Sequence, residues 1–149
     1  MGGGRSVNSA GAIARHLLLA VLVGLWSGGF SVGAFAQNMS ADGGPCAKAG
    51  STAATAECFD KAFKAADRDL NDLYDRIQKV LEPDELKGLV QAERLWLKYR
   101  DATCEGEYEL YGGGTGGPPA RLACLEAETR SREASLMRSY GWRLEKRGG

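Results

Sequence analysis

Apolar side chains recur at intervals of three and four between Phe59 and Leu81, with charged residues in the gaps. Phe59, Phe63, Ala66, Leu70, Leu73, Tyr74, Ile77 and Leu81 therefore fall on one face of an α-helix. If it runs unbroken from Ser51 to Leu81, that helix is about 46 Å long, and Ser51, Thr52 and Thr55 are its candidate N-caps. Glu82-Pro83-Asp84-Glu85 then stops one helix and starts another. Proline suits the first position of a helix, and carboxylates there complement the helix dipole. The second helix carries Leu86, Leu89, Val90, Trp96, Leu97, Tyr99 and Cys104, and so short a link makes the pair an antiparallel hairpin. Such a hairpin brings Cys104 level with the Cys58 end of the first helix. Leu122, Leu125, Thr129, Leu136 and Tyr140 mark a third helix, with Pro118 and Pro119 at its start and Gly141 at its end. No strand-like alternation and no internal repeat is present. The expected fold is all-α, a small disulfide-stapled bundle of about three helices.

The first 36 residues do not belong to that bundle. Arg5, Arg15 and His16 precede the apolar run LLLAVLVGLW (Leu17 to Trp26), and Ala34-Phe35-Ala36 is a small-residue cleavage box. This is the layout of a secretory signal peptide cut between Ala36 and Gln37, with periplasmic or secreted residence and no stable membrane insertion afterwards. No cysteine follows the apolar run closely enough to carry a lipid. Residues 37–50 read as a flexible lead-in, 51–141 as the helical domain and 142–149 as a frayed C-terminal tail. The part after Ala36 holds 17 basic and 19 acidic residues, a net charge of −2. That balance offers no electrostatic case for nucleic acid. His16 is the single histidine of the chain and leaves with the signal peptide. A Ser-His-Asp or Cys-His mechanism is therefore excluded, and no cofactor motif is found.

Cys46, Cys58, Cys104 and Cys124 remain. Four cysteines in an exported chain imply two disulfides; a zinc site would need tighter spacing or histidines. All four fall toward one end of the hairpin, so geometry leaves both the local pairing (Cys46–Cys58, Cys104–Cys124) and two crossed ones open. The local pairing is favoured because it closes the glycine-rich stretch into a loop.

That stretch, Gly112 to Pro119, is glycine or proline at every position except Thr115. It has no lysine and no preceding strand, so it is not a phosphate-binding loop. It is either a plain turn or a loop presented to a partner, with Tyr108, Tyr111 and Thr115 as its contacts. Glu105, Glu107 and Glu109 precede it. Carboxylates can cleave glycosidic bonds, but that needs a cleft with one acid desolvated; an exposed acidic edge that attracts a cationic partner is the expected role. Arg130, Arg132, Arg138, Arg143, Lys146 and Arg147 make the C-terminal part basic, in keeping with a helix C-terminus and a solubilising tail. Trp96, Tyr99 and Arg100 fall within one turn of the second helix, either as a partner-binding hot spot or, the favoured reading for aromatics on a long-helix stripe, in the core; Asn71 is expected in a buried hydrogen bond.

LNDLY (Leu70 to Tyr74), the segment from Leu89 through A-E-R-L-W-L-K-Y-R-D-A-T-C to Cys104, the GGT of the loop and CLEAETR (Cys124 to Arg130) resemble the lysozyme inhibitor LprI-like N-terminal domain family. The resemblance spans residues 46 to about 140. Its matching positions, Leu70, Asn71, Tyr74, Glu93, Arg94, Trp96, Tyr99, Arg100, Asp101, Thr129 and Arg130, read as scaffold. Glu93 stands where the family usually has glutamine, and Thr115 where serine is common. The resemblance implies a non-enzymatic protein-binding domain with lysozyme as partner. The alternative is an envelope-associated module that binds cell-wall polymer or another envelope protein.

Overall fold

The computed structural model describes residues 43–147; the expected signal peptide and cleavage site, residues 37–42 of the expected lead-in and the last two residues lie outside that range. Three helices account for most of it: α1 (Thr52–Gln78), α2 (Pro83–Glu109) and α3 (Gly117–Arg147). No strand occurs among the described residues, and no helix of theirs is long and apolar enough to cross a membrane.

Of the three candidate N-caps, Ser51 takes the role. Its backbone is extended and its hydroxyl accepts from the Ala54 amide at 3.2 Å, satisfying one of the donors that a helix start leaves unpaired. α2 starts at Pro83 as expected, and the Glu82 amide donates to the Glu85 carboxylate at 2.9 Å. α1 and α2 run antiparallel, as their four-residue link requires. α3 packs against both, parallel to α1 and antiparallel to α2. Leu70, Leu73 and Ile77 of α1, Leu89 of α2 and Leu136 of α3 form the main core. Phe63 of α1 packs against the buried Cys104, Cys124 and Leu125.

The disulfides pair locally. Cys46–Cys58 has a Cα separation of 5.8 Å and holds the segment before α1 against that helix; Cys104–Cys124, at 5.4 Å, joins the end of α2 to the start of α3. The lead-in is thus anchored where it is described: Cys46 is buried beside Phe59 and Ala123.

Helix α3 departs from expectation at its end. It continues through Gly141, which is buried inside the helix, and reaches Arg147. Three contacts carry it past the glycine. Leu144 packs on the main core, Arg143 pairs with Glu85, and Arg147 pairs with Glu82 at 2.9 Å. These contacts outweigh the roughly 1 kcal/mol that glycine costs a helix interior.

Candidate functional site

The residues expected to meet a partner gather at the disulfide end of the bundle. α2 finishes at Glu109, and the chain turns through Leu110 to Gly116 before α3 begins. The turn is closed by short backbone bonds: Gly112 N to Glu109 O at 3.0 Å, Gly114 N to Tyr111 O at 2.8 Å and Gly117 N to Gly114 O at 3.1 Å. Gly112 and Gly113 hold positive φ, +55° and +81°, a conformation costly for residues with a side chain. Further on, glycine is needed for space. A Cβ at Gly116 would lie 2.5 Å from the Tyr111 ring, and one at Gly117 2.9 Å from the Tyr108 ring. The segment is therefore a run of tight turns folded around two tyrosines. Pro118 and Pro119 lie inside the first turn of α3, so the connection is shorter than the sequence composition indicates.

Leu110 is 84% exposed at the tip and Tyr111 remains partly exposed beside it. Thr115 is exposed, while Tyr108 is half-buried. Leu110 was not singled out from the sequence. Its signal is an aliphatic residue held between two tyrosines where the helix ends, a position with no core left to enter.

The three carboxylates do not share one face. Successive helix residues rotate by about 100°, so positions two apart point in nearly opposite directions. Glu105 and Glu109 are exposed, and Glu105 accepts from Arg121 at 3.1 Å. Glu107 turns inward: burial pushes its carboxyl up from the ordinary value, and the nearby Glu128 carboxylate adds to the effect. The outward acidic surface is Glu105 and Glu109 alone.

The motif residues on α1 and α2 line a groove between those helices. This groove, about 260 Å³, is bordered by the motif residues Leu70, Asn71, Tyr74, Glu93, Arg94 and Trp96 together with Asp67, Val90 and Leu97. Here two expectations are corrected. Asn71 is exposed, donating to Asp67 at 3.2 Å, because one step from the buried Leu70 already turns a side chain out of the core. Tyr99 is 56% exposed, since the buried positions of α2 (Leu89, Arg100, Cys104) recur on a face that Tyr99 does not share. Trp96 packs half-buried against the main core. The guanidinium groups of Arg100 and Arg132 lie over its ring, at 5.1 and 5.7 Å, within cation–π range.

Arg100 is buried, bonded to Asp101 at 2.8 Å and 3.9 Å from Asp67. Glu93 pairs with Arg132 of α3 at 2.8 Å, both side chains largely covered, which gives a glutamate at this position a use that glutamine would lack. Burial pushes the Tyr74 phenol up, and the Glu93 carboxylate adds to it. Arg130 ties α3 to α1 through Asp69 at 2.6 Å and also meets Glu133 at 3.2 Å. The basic C-terminal series thus spends four of its members, Arg130, Arg132, Arg143 and Arg147, on ion pairs within the bundle. Thr129 is fully buried. No group of three or more potential metal ligands exists among the described residues.

Comparison with known proteins yields three findings. The family description "Lysozyme inhibitor LprI" matches residues 46–136, which takes in both disulfides and most of all three helices. An uncharacterised protein of Rhizobium meliloti (strain 1021) is 31% identical over 104 residues, covering 61% of this chain and 75% of that protein. No solved structure matches. The chain belongs to the lysozyme inhibitor LprI family.

Proposed function

We propose that this LprI family member is an exported, non-enzymatic protein that binds lysozyme and covers its cleft with the disulfide end of the bundle. The observation that carries the reading is the family match across nearly the whole helical domain. Two closed disulfides support residence in an oxidising compartment. At the loop end, exposed Leu110 and Tyr111 stand beside the outward carboxylates Glu105 and Glu109. Apolar anchors rimmed by charge are what a protein interface uses, and carboxylates steer a cationic partner such as lysozyme. The turns around Tyr108 and Tyr111 hold this edge in one shape before binding, which lowers the ordering cost of association.

The test is a turbidity assay of lysozyme on cell walls with increasing amounts of the protein. Protection is expected, weakened by Leu110→Asp and by added salt. Undiminished lysis at several-fold molar excess refutes the reading, and capture by peptidoglycan in place of lysozyme would favour the envelope-module alternative.

A further inference from the structure

One face of α2 is uncovered and apolar. Leu95 is 60% exposed, Tyr99 56% and Leu110 84%, and their spacings of four and eleven put them on one side of the helix. Gly88, Ala92, Ala102 and Gly106 lie on the same side, all small and all exposed, with Thr103 partly covered and Glu85 exposed at its border. Large and small residues are arranged symmetrically about Tyr99. Leu110 and Gly88 stand eleven residues from it on opposite sides, Gly106 and Ala92 seven, and Leu95 and Ala102 four and three. Two copies of α2 crossing antiparallel at Tyr99 would set Leu110 of one over Gly88 of the other and Leu95 over Ala102.

The charges bordering the stripe have the same symmetry. Lys87, Arg94 and Lys98 run along one edge in the first half of the helix, and Asp101, Glu105 and Glu109 along that edge in the second half. An antiparallel pair places like edges together, so Arg94 of one copy meets Glu105 of the other, Lys98 meets Asp101 and Lys87 meets Glu109. Arg94 and Lys98 have no hydrogen-bonded or salt-bridged carboxylate of their own among the described residues, whereas Lys87 is held by Asp84, Asp101 by Arg100 and Glu105 by Arg121, and these would share their charge with the second copy. A two-fold interface must be self-complementary, and this surface is so in both shape and charge.

We propose that the protein self-associates through α2 as an antiparallel two-fold dimer centred on Tyr99. The dimer does not rest on lysozyme binding. It covers Glu105, Glu109 and Leu110 as well, so lysozyme and a second copy would compete for them.

Sedimentation equilibrium of the protein purified after export of the full chain, with no lysozyme present, tests the pairing. A monomer–dimer equilibrium at low salt is expected, weakened when salt screens the six flanking pairs. Arg94→Glu and Glu105→Arg should each weaken it by about tenfold, since each reverses two pairs. An equimolar mixture of the two variants should restore dimerisation, because every reversed charge then meets its opposite. Circular dichroism confirms that both remain helical. A monomer at every concentration, a dimer indifferent to both substitutions, or a mixture without rescue overturns the proposal. So does a monomer whose capture by immobilised lysozyme is lost on Leu95→Glu, which would make lysozyme the occupant of the stripe.

Discussion

The two disulfides close loops of similar length but should not contribute equally, and replacing each pair by alanine separates chain entropy from packing. Cys104 and Cys124 are 20 residues apart and Cys46 and Cys58 are 12 apart. Loop-closure entropy assigns these about 3.3 and 2.8 kcal/mol, too close to rank alone. Burial ranks them. Cys104 and Cys124 are both inaccessible, packed with Leu125 and Phe63, whereas Cys58 is half-exposed and its bridge secures only the segment before α1. Deleting a fully buried sulfur removes roughly a methylene's worth of packing, about 1 kcal/mol. Cys104→Ala/Cys124→Ala should therefore lose about 5 kcal/mol and Cys46→Ala/Cys58→Ala about 4, against a total of about 5–15 for a domain this size. Urea unfolding measures both. The midpoint should fall further for the first pair, and m should rise in both because the unfolded chain opens. Equal losses, or a larger loss for the Cys46–Cys58 pair, would refute the claim that the α2–α3 bridge is the one integrated with the core.

Further outcomes can be checked on the same protein. Arg132→Ala removes a covered ion pair with Glu93 and a cation on Trp96, and should cost about 2–3 kcal/mol by thermal unfolding. Arg130→Ala, whose partners are more exposed, should cost about 1 kcal/mol or less and lose even that at high salt. Glu107 has a folded pKa above its ordinary value, so the folded state holds its proton more tightly. Its contribution is favourable at low pH and is lost as pH rises through the raised folded value. Unfolding of Glu107→Gln and of the unchanged protein, followed from about pH 4 to about pH 7 across the ordinary glutamate value of about 4.3, should therefore shift in favour of the variant with rising pH. A constant difference would contradict it. Gly116→Val drives a side chain into the Tyr111 ring; it should cost little stability, because that ring can swing into solvent, but should weaken lysozyme protection.

Periodicity carried the fold and failed wherever one residue had to be placed on a side. The apolar spacing of α1 and the proline at its restart located two helices, because each rests on a local rule that tertiary packing reinforces. Gly141 did not end α3, because what decides its fate is Arg143 and Arg147 reaching Glu85 and Glu82 about 60 residues away in sequence. Asn71 and Tyr99 were misplaced for a related reason: a helix turns 100° per residue, so a polar or aromatic residue beside a core position is as readily outside as inside. The candidate site shows the same division. The cysteines framing the loop were legible in sequence, as was its demand for glycine. That Glu107 faces inward while Glu105 and Glu109 face outward follows from how α2 is rotated against α3, which depends on Leu89, Arg100 and Cys104 being buried together. The outer face of α2 was illegible for a different reason. Tyr99 reads as core from the sequence and Leu95 and Leu110 are not singled out there; only the packing of α3 on the opposite side leaves all three exposed.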